Sequence, residues 1–194
     1  MKKIGLLFGS FNPIHVGHLF MGEMAIESGC VDEVWFVVSP GSPYKINTGI
    51  LADEDDRLNM VIEAVKYNSK FKVDTTEFSL ERPSYTYITI QKFKNTFLNY
   101  EPHIICGTDV YVDIPNWHGG KEVIELSNFV VYPRSTTANY APEEMANKTK
   151  FLNGVPSLEI SSTFLRDQIK NNKTTIHLLP ESVREYIKKN NLYK

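Results

Sequence analysis

His15 and His18, three residues apart behind a glycine-led turn, are the side chains of this chain best suited to chemistry. They close the segment GSFNPIHVGH, residues 9–18. At that spacing two imidazoles share one helix face, and each can donate a ring N–H to a phosphate oxygen. The segment follows an apolar run, Ile4 to Phe8, and leads into a helix-compatible stretch, Leu19 to Ile26. A buried strand turning into a helix start would offer an anion free N–H groups and the positive end of the helix dipole. At Gly9 no side chain blocks a ligand from the backbone. A metal pair is the weaker alternative, because no Cys, Asp or Glu cluster stands nearby at ligand spacing, and no metal ligands are assigned.

One further segment points at phosphate, and another presents a lysine. In ISSTFLR, residues 160–166, Ser161 or Ser162 can cap a helix, and Arg166 follows one turn later with a planar, bidentate grip. In SPGSPYK, residues 39–45, two prolines and Gly41 make a rigid loop that can present Lys45. Either segment alone is commonplace, a capped helix with a surface arginine or a solvated lysine. Beside residues 9–18 the ISSTFLR segment gains weight, while for Lys45 taken by itself a solvated surface lysine is the commoner reading.

The elements that must position them alternate. Short apolar runs at Ile4–Phe8, Val34–Val38, Phe71–Val73, Ile104–Cys106 and Phe129–Tyr132 read as strands. Between them, Val16–Ser28, Asp53–Tyr67, Tyr85–Leu98 and Gly120–Leu126 carry helical spacing. Alternation of this kind predicts an α/β fold, a Rossmann-like, doubly wound parallel sheet with helices on both faces. In such sheets ligands bind beyond the carboxyl ends of the strands, and the turns at 9–15, 39–45 and 107–109 all follow strands. Further on, Asn139–Asn153 is polar and unpatterned, and predicts a surface connection or a ragged helix. Val155–Glu159 reads as extended, and Ser161–Ile169 and Glu181–Asn190 as helices, the last begun by Pro180. Residues 1–194 are expected to form one domain, with a small helical C-terminal part over about 155–194.

Composition narrows the partners. With 21 basic and 23 acidic residues the net charge is −2, which gives no global reason to expect nucleic acid, so a phosphate ligand must be drawn by local charge. Cys30 and Cys106 form no C-x-x-C, and Cys106 reads as a buried, inert thiol. The apolar run before Gly9 is too short for a signal peptide, and no stretch is long enough to span a bilayer, so a cytoplasmic protein away from membranes is expected. A homo-oligomer stays open.

Residues 9–18 resemble the (T/H)xGH signature of the nucleotidyltransferases in its longer form, and ISSTFLR resembles that superfamily's second motif. Three more segments resemble bacterial nicotinate mononucleotide adenylyltransferases: SPGSPYK, SYTYIT at 84–89 and the loop tryptophan of DIPNWHGG. Together with GTD at 107–109 and the tail LLPESVREYIKKNNLY, whose part reads as packing, the likeness runs from Gly5 to Tyr193. It implies adenylyl transfer from ATP to nicotinate mononucleotide, giving deamido-NAD and pyrophosphate in NAD biosynthesis. It implies catalytic roles for His15, His18, Lys45 and Arg166. ATP would be held by Gly9, Ser10, Phe11, His18, Gly107, Asp109, Ser161, Ser162, Thr163 and Arg166, and the mononucleotide by Ser10, Phe11, Lys45, Tyr85, Thr86, Trp117 and His118. Mg²⁺ would arrive with ATP. The chain departs from the family at Ser42, Tyr44 and Ile88, and His118 is an unusual neighbour for Trp117. The Tyr44–Lys45 pair keeps nicotinamide mononucleotide in view as main or equal substrate. A non-catalytic nucleotide-binding regulator on the same fold is the alternative of another class. Read without the resemblance, Ser84 is simply a helix cap, and Asp109 caps the turn after the fourth strand.

Overall fold

The computed structural model describes residues 1–41, 51–133 and 142–194. Six strands form one sheet: β1 (Lys2–Gly9), β2 (Glu33–Val38), β3 (Phe71–Asp74), β4 (Tyr100–Gly107), β5 (Asn128–Tyr132) and β6 (Thr149–Phe151). Their order is β3-β2-β1-β4-β5-β6, and every neighbouring pair is parallel. The chain steps outward from β1 on one side and restarts at β4 on the other. The strand order therefore reverses between β1 and β4, where a crevice opens beyond the carboxyl ends.

Burial follows the pleat. In β5, Val130 and Tyr132 join one core cluster while Phe129 and Val131 join another, and β4 divides Ile105 from Ile104 and Cys106 in the same way. The first face is covered by α1 (Val16–Glu27), α2 (Glu54–Val65), α6 (Ser162–Lys170) and α7 (Glu181–Lys189), through Met21, Ala25, Met60, Val61, Leu165, Val183 and Ile187. The second is covered by α3 (Thr86–Thr96), α4 (Thr108–Tyr111) and α5 (Gly120–Leu126), through Ile90, Phe93, Tyr111 and Val123. Each large apolar chain so buried contributes about 1.5–3 kcal/mol before entropy is counted, so both faces need their helices. This is the doubly wound α/β sheet expected from the alternation of strands and helices.

Two local expectations need correction. The polar stretch 139–153, expected to be a surface connection or a ragged helix, contains a 3₁₀ turn over Glu143–Lys148, and then the edge strand β6. Only pairing with β5 makes a strand of these three residues. Ser84, expected to cap α3, is not the cap. Tyr85 holds that position, and the Ser84 hydroxyl donates instead to the buried carboxylate of Glu77 at 2.8 Å.

Candidate active site

A cavity of about 540 Å³ opens at the β1–β4 switch point. Its walls come from the ends of both strands, the turn and helix start after β1, Trp117, and residues 158–166 before and within α6. Gly9, Ser10, Phe11, His15, His18, Gly107, Trp117, Ser161, Ser162, Thr163 and Arg166 all line it, bringing together residues spread over most of the chain.

The two histidines stand as their spacing requires. His15 is the N-cap of α1 and His18 its third residue, and their rings stack at 3.7 Å between centroids, 27° from parallel. A Cβ at Gly17 would come within 3.0 Å of His15 Nδ1, so the glycine of H-x-G-H leaves the first ring its place. The backbone N–H of His15 donates to His18 Nδ1 at 3.2 Å. An imidazole nitrogen that accepts carries no proton, so in neutral His18 the proton sits on Nε2, which becomes a donor. The ring is braced further by the edge of Phe11, 5.1 Å away at 82°.

Gly9 acts differently from the expected open backbone. A Cβ there would lie 3.0 Å from the Phe11 ring, so the space a side chain would occupy is filled by Phe11. Phe11 itself has φ of +45°, a region few non-glycine residues adopt and one that surrounding contacts must hold. Those contacts are carbonyl clamps. Arg166 Nη1 donates to Asn12 O at 2.8 Å, and the Ser162 hydroxyl to Pro13 O at 2.9 Å. Ser162 thus spends its proton fastening the turn. The cap of α6 is Ser161, whose Oγ accepts from Phe164 N at 3.2 Å, which leaves the N–H groups of Ser162 and Thr163 at the positive helix end. Arg166 also reaches Thr163 Oγ1 at 3.2 Å, and partial burial lowers its pKa without discharging it.

Some expected residues stand apart from the cavity lining. Asp109 is exposed in the first turn of α4, one residue beyond the helix start at Thr108. Tyr85 packs on His118 with ring centroids 4.3 Å apart, and Tyr87 completes a cluster of three rings, 5.9 Å from His118 and 6.4 Å from Tyr85. Thr86 opens α3 just behind Tyr85. This aromatic group borders Trp117, whose Nε1 donates to Asp113 at 3.3 Å and so holds the indole against its own loop. Tyr44 and Lys45 lie outside the described residues. Cys106 lines the cavity, but burial pushes its thiol far above the ordinary range, so it offers no thiolate nucleophile. Among the described residues no group of three or more His, Cys, Asp or Glu could hold a metal ion.

Four residues near the turn do not announce themselves in the sequence. Arg57 of α2 is 1% exposed and donates to four main-chain carbonyls: Ala52 (3.1 Å), Ser10 (2.8 Å), Ser39 (2.6 Å) and Pro40 (2.6 Å). Its only signal is position, since 57, 60, 61 and 65 form the buried stripe of α2 and an arginine begins it. Asn12 accepts at Oδ1 from Ala52 N (3.0 Å) and from the Tyr193 hydroxyl (2.8 Å), so the C-terminal tail does more than pack. Glu77, 3% exposed, accepts from Ser84 and Thr89 and bonds the Ser39 side chain. Burial raises its pKa, and the three hydroxyls oppose that rise.

Comparison with known proteins agrees over the full length. A family model described as cytidylyltransferase-like matches residues 6–168. A protein of Cytophaga hutchinsonii, named "Probable nicotinate-nucleotide adenylyltransferase", is 40% identical over 185 residues, 95% of this chain and 95% of its own. The nicotinate-nucleotide adenylyltransferase of Bacillus subtilis is 32% identical over 194 residues, 100% of both chains. The solved structure of Plasmodium falciparum nicotinic acid mononucleotide adenylyltransferase complexed with NaAD has a TM-score of 0.80, with 22% identity, over 100% of this chain and 98% of that one. At that identity the likeness is one of fold.

Proposed function

This chain belongs to the cytidylyltransferase-like family, among the nicotinate-nucleotide adenylyltransferases, and on that premise we propose that it transfers the adenylyl group of ATP to nicotinate mononucleotide, giving deamido-NAD and pyrophosphate in NAD biosynthesis. The observation that carries it is the convergence of His18, the 9–13 turn, the α6 start with Arg166, and Trp117 on one cavity. A phosphate oxygen of the mononucleotide attacks the α-phosphorus in line. The new P–O bond forms as the bond to the β-phosphate oxygen breaks, and the electron pair leaves with pyrophosphate. No covalent enzyme intermediate is required, so positioning and charge stabilisation supply the rate.

We assign His18 Nε2–H to the α-phosphate and its transition-state charge, with His15 beside it at the phosphates. Arg166 and the start of α6 from Ser161 to Thr163 take the leaving pyrophosphate. Gly9, Ser10 and Phe11 lie between the two substrates, and Gly107 and Asp109 serve the adenosine ribose. Lys45 binds the mononucleotide phosphate, and Tyr85, Thr86, Trp117 and His118 surround its ring. Mg²⁺ enters as part of the ATP substrate, neutralising its phosphates. Residues 1–194 act as one nucleotidyltransferase domain, supported by Leu165, Val183 and Ile187 sharing a core with the sheet. We place the enzyme in the cytoplasm, where ATP is at hand. Among the described residues no helix is long and apolar enough to cross a membrane.

The choice of acid over amide follows from donor pattern. A carboxylate only accepts, whereas an amide turns an NH₂ toward any donor and leaves that donor unpaired. Each such buried mismatch costs about 1–3 kcal/mol, or roughly ten- to a hundredfold in efficiency. With Thr86 and the backbone N–H after Trp117 as donors, kcat/KM for nicotinate mononucleotide should exceed that for the amide by that factor at equal ATP. Equal or higher efficiency with the amide would remove the acid preference. Trp117→Ala should weaken both mononucleotides alike, because stacking reads the ring and not its substituent.

A further inference from the structure

Arg57 is the largest fully buried side chain among the described residues, and no carboxylate pairs with it there. Asp53 and Glu54 act on it only through space. Burying a cation is costly unless its donors are met, and a leucine or methionine would fill the same helix stripe more cheaply. The guanidinium must therefore serve something besides packing. Its carbonyl partners tie the residues following β1 (Ser10) and β2 (Ser39, Pro40) to the segment before α2 (Ala52).

Of these partners, Ser10 is the one on the cavity wall. The Ser10–Phe11 peptide is trans, so its carbonyl and its N–H point in opposite directions. A grip on Ser10 O therefore turns the Phe11 N–H away from Arg57. Phe11, at φ of +45°, is thus clamped on both sides, by Arg57 at Ser10 O and by Arg166 at Asn12 O. Two planar cations hold the carbonyls that flank the one strained residue of the phosphate turn. The two clamps also join through the backbone: Arg57 Nε meets Ala52 O, Ala52 N meets Asn12 Oδ1, and Asn12 O meets Arg166.

We propose that Arg57 is a positioning residue for the transfer, holding the Ser10 carbonyl inward so that the Phe11 N–H is presented to the α-phosphate of bound ATP. This rests on the adenylyl-transfer function proposed above, and the two can fail separately. A wild-type protein that forms no dinucleotide overturns the function, whereas the outcomes below concern Arg57 in an active enzyme.

Arg57→Lys keeps the charge, but one ammonium cannot span four carbonyls. Its kcat per folded molecule, the folded fraction being taken from a denaturation melt, should fall about ten- to a hundredfold, with KM for the mononucleotide within about threefold of wild type. A folded Arg57→Lys with wild-type kcat overturns the proposal, as does a loss of rate that only tracks the loss of folded protein. Should that variant not fold, the wild type decides the matter. In ¹⁵N–¹H spectra its Phe11 amide proton should move downfield as Mg·ATP is added, as an N–H does on meeting a phosphate. A Phe11 amide unmoved at saturating ATP overturns the proposal whatever the variant does.

Discussion

Replacing His18 by alanine is expected to lower turnover by about a hundredfold or more while leaving the KM for ATP nearly unchanged. The hydrogen bond into Nδ1 puts the proton of neutral His18 on Nε2, and the stack on His15 holds that donor in place before substrate arrives. A donor fixed in advance needs no reorganisation when charge builds on the α-phosphate, so its removal raises the transition state more than the ground state. Alanine also removes the acceptor for the His15 N–H, and that second loss can be separated. His18→Asn places its side-chain oxygen where Nδ1 accepts, but has nothing at the position of Nε2. It should restore the melting temperature and not the rate. Steady-state kinetics on both variants is the check. An alanine variant with near-normal kcat takes His18 out of the mechanism.

Arg166→Ala should raise the KM for ATP by about ten- to a hundredfold, with a smaller effect on the KM for the mononucleotide. The guanidinium lines the cavity one turn into α6, beside the N–H groups of Ser162 and Thr163, where a pyrophosphate would meet both a cation and a helix start. Because Nη1 also holds Asn12 O, some fall in kcat should accompany the change in KM. Arg166→Lys keeps the charge without the two-pronged reach to Asn12 and Thr163, and should recover only part of the ATP affinity. Equal increases of KM for both substrates would show that Arg166 is not confined to the ATP side.

How much of this could be read from the letters differs by residue. The placement of His15 and His18 was legible because it is local: a strand, a turn and a helix start fix the geometry within ten residues. The order of strands and helices was legible from periodicity, since each of β1, β2, β4 and β5 is an apolar run bounded by polar or glycine-rich turns. β6 was not, because Thr149–Phe151 has no alternation of its own and becomes a strand only against β5. Ser84 looked like a helix cap because a serine before Tyr-Thr suits one, but the buried carboxylate of Glu77 offers its hydroxyl a stronger partner. Arg57 sits in a run of charged letters, Asp53 to Arg57, that reads as a solvated helix start. Its burial depends on carbonyls brought from three separate segments. Tyr193 is further still from Asn12 in the chain, and no spacing rule links them. Residues that line the cavity were thus largely visible, and the residues that hold the turn in place were not.

The central claim is one transfer reaction, and its products test it. The purified protein would be given ATP, Mg²⁺ and nicotinate mononucleotide whose phosphate carries ¹⁸O, with pyrophosphate measured by coupled assay and the dinucleotide by mass. The expected result is pyrophosphate and deamido-NAD in equal amounts, with every labelled oxygen retained in the dinucleotide and none in pyrophosphate. A folded protein that binds ATP but forms no dinucleotide, or that releases pyrophosphate without it, would contradict the account.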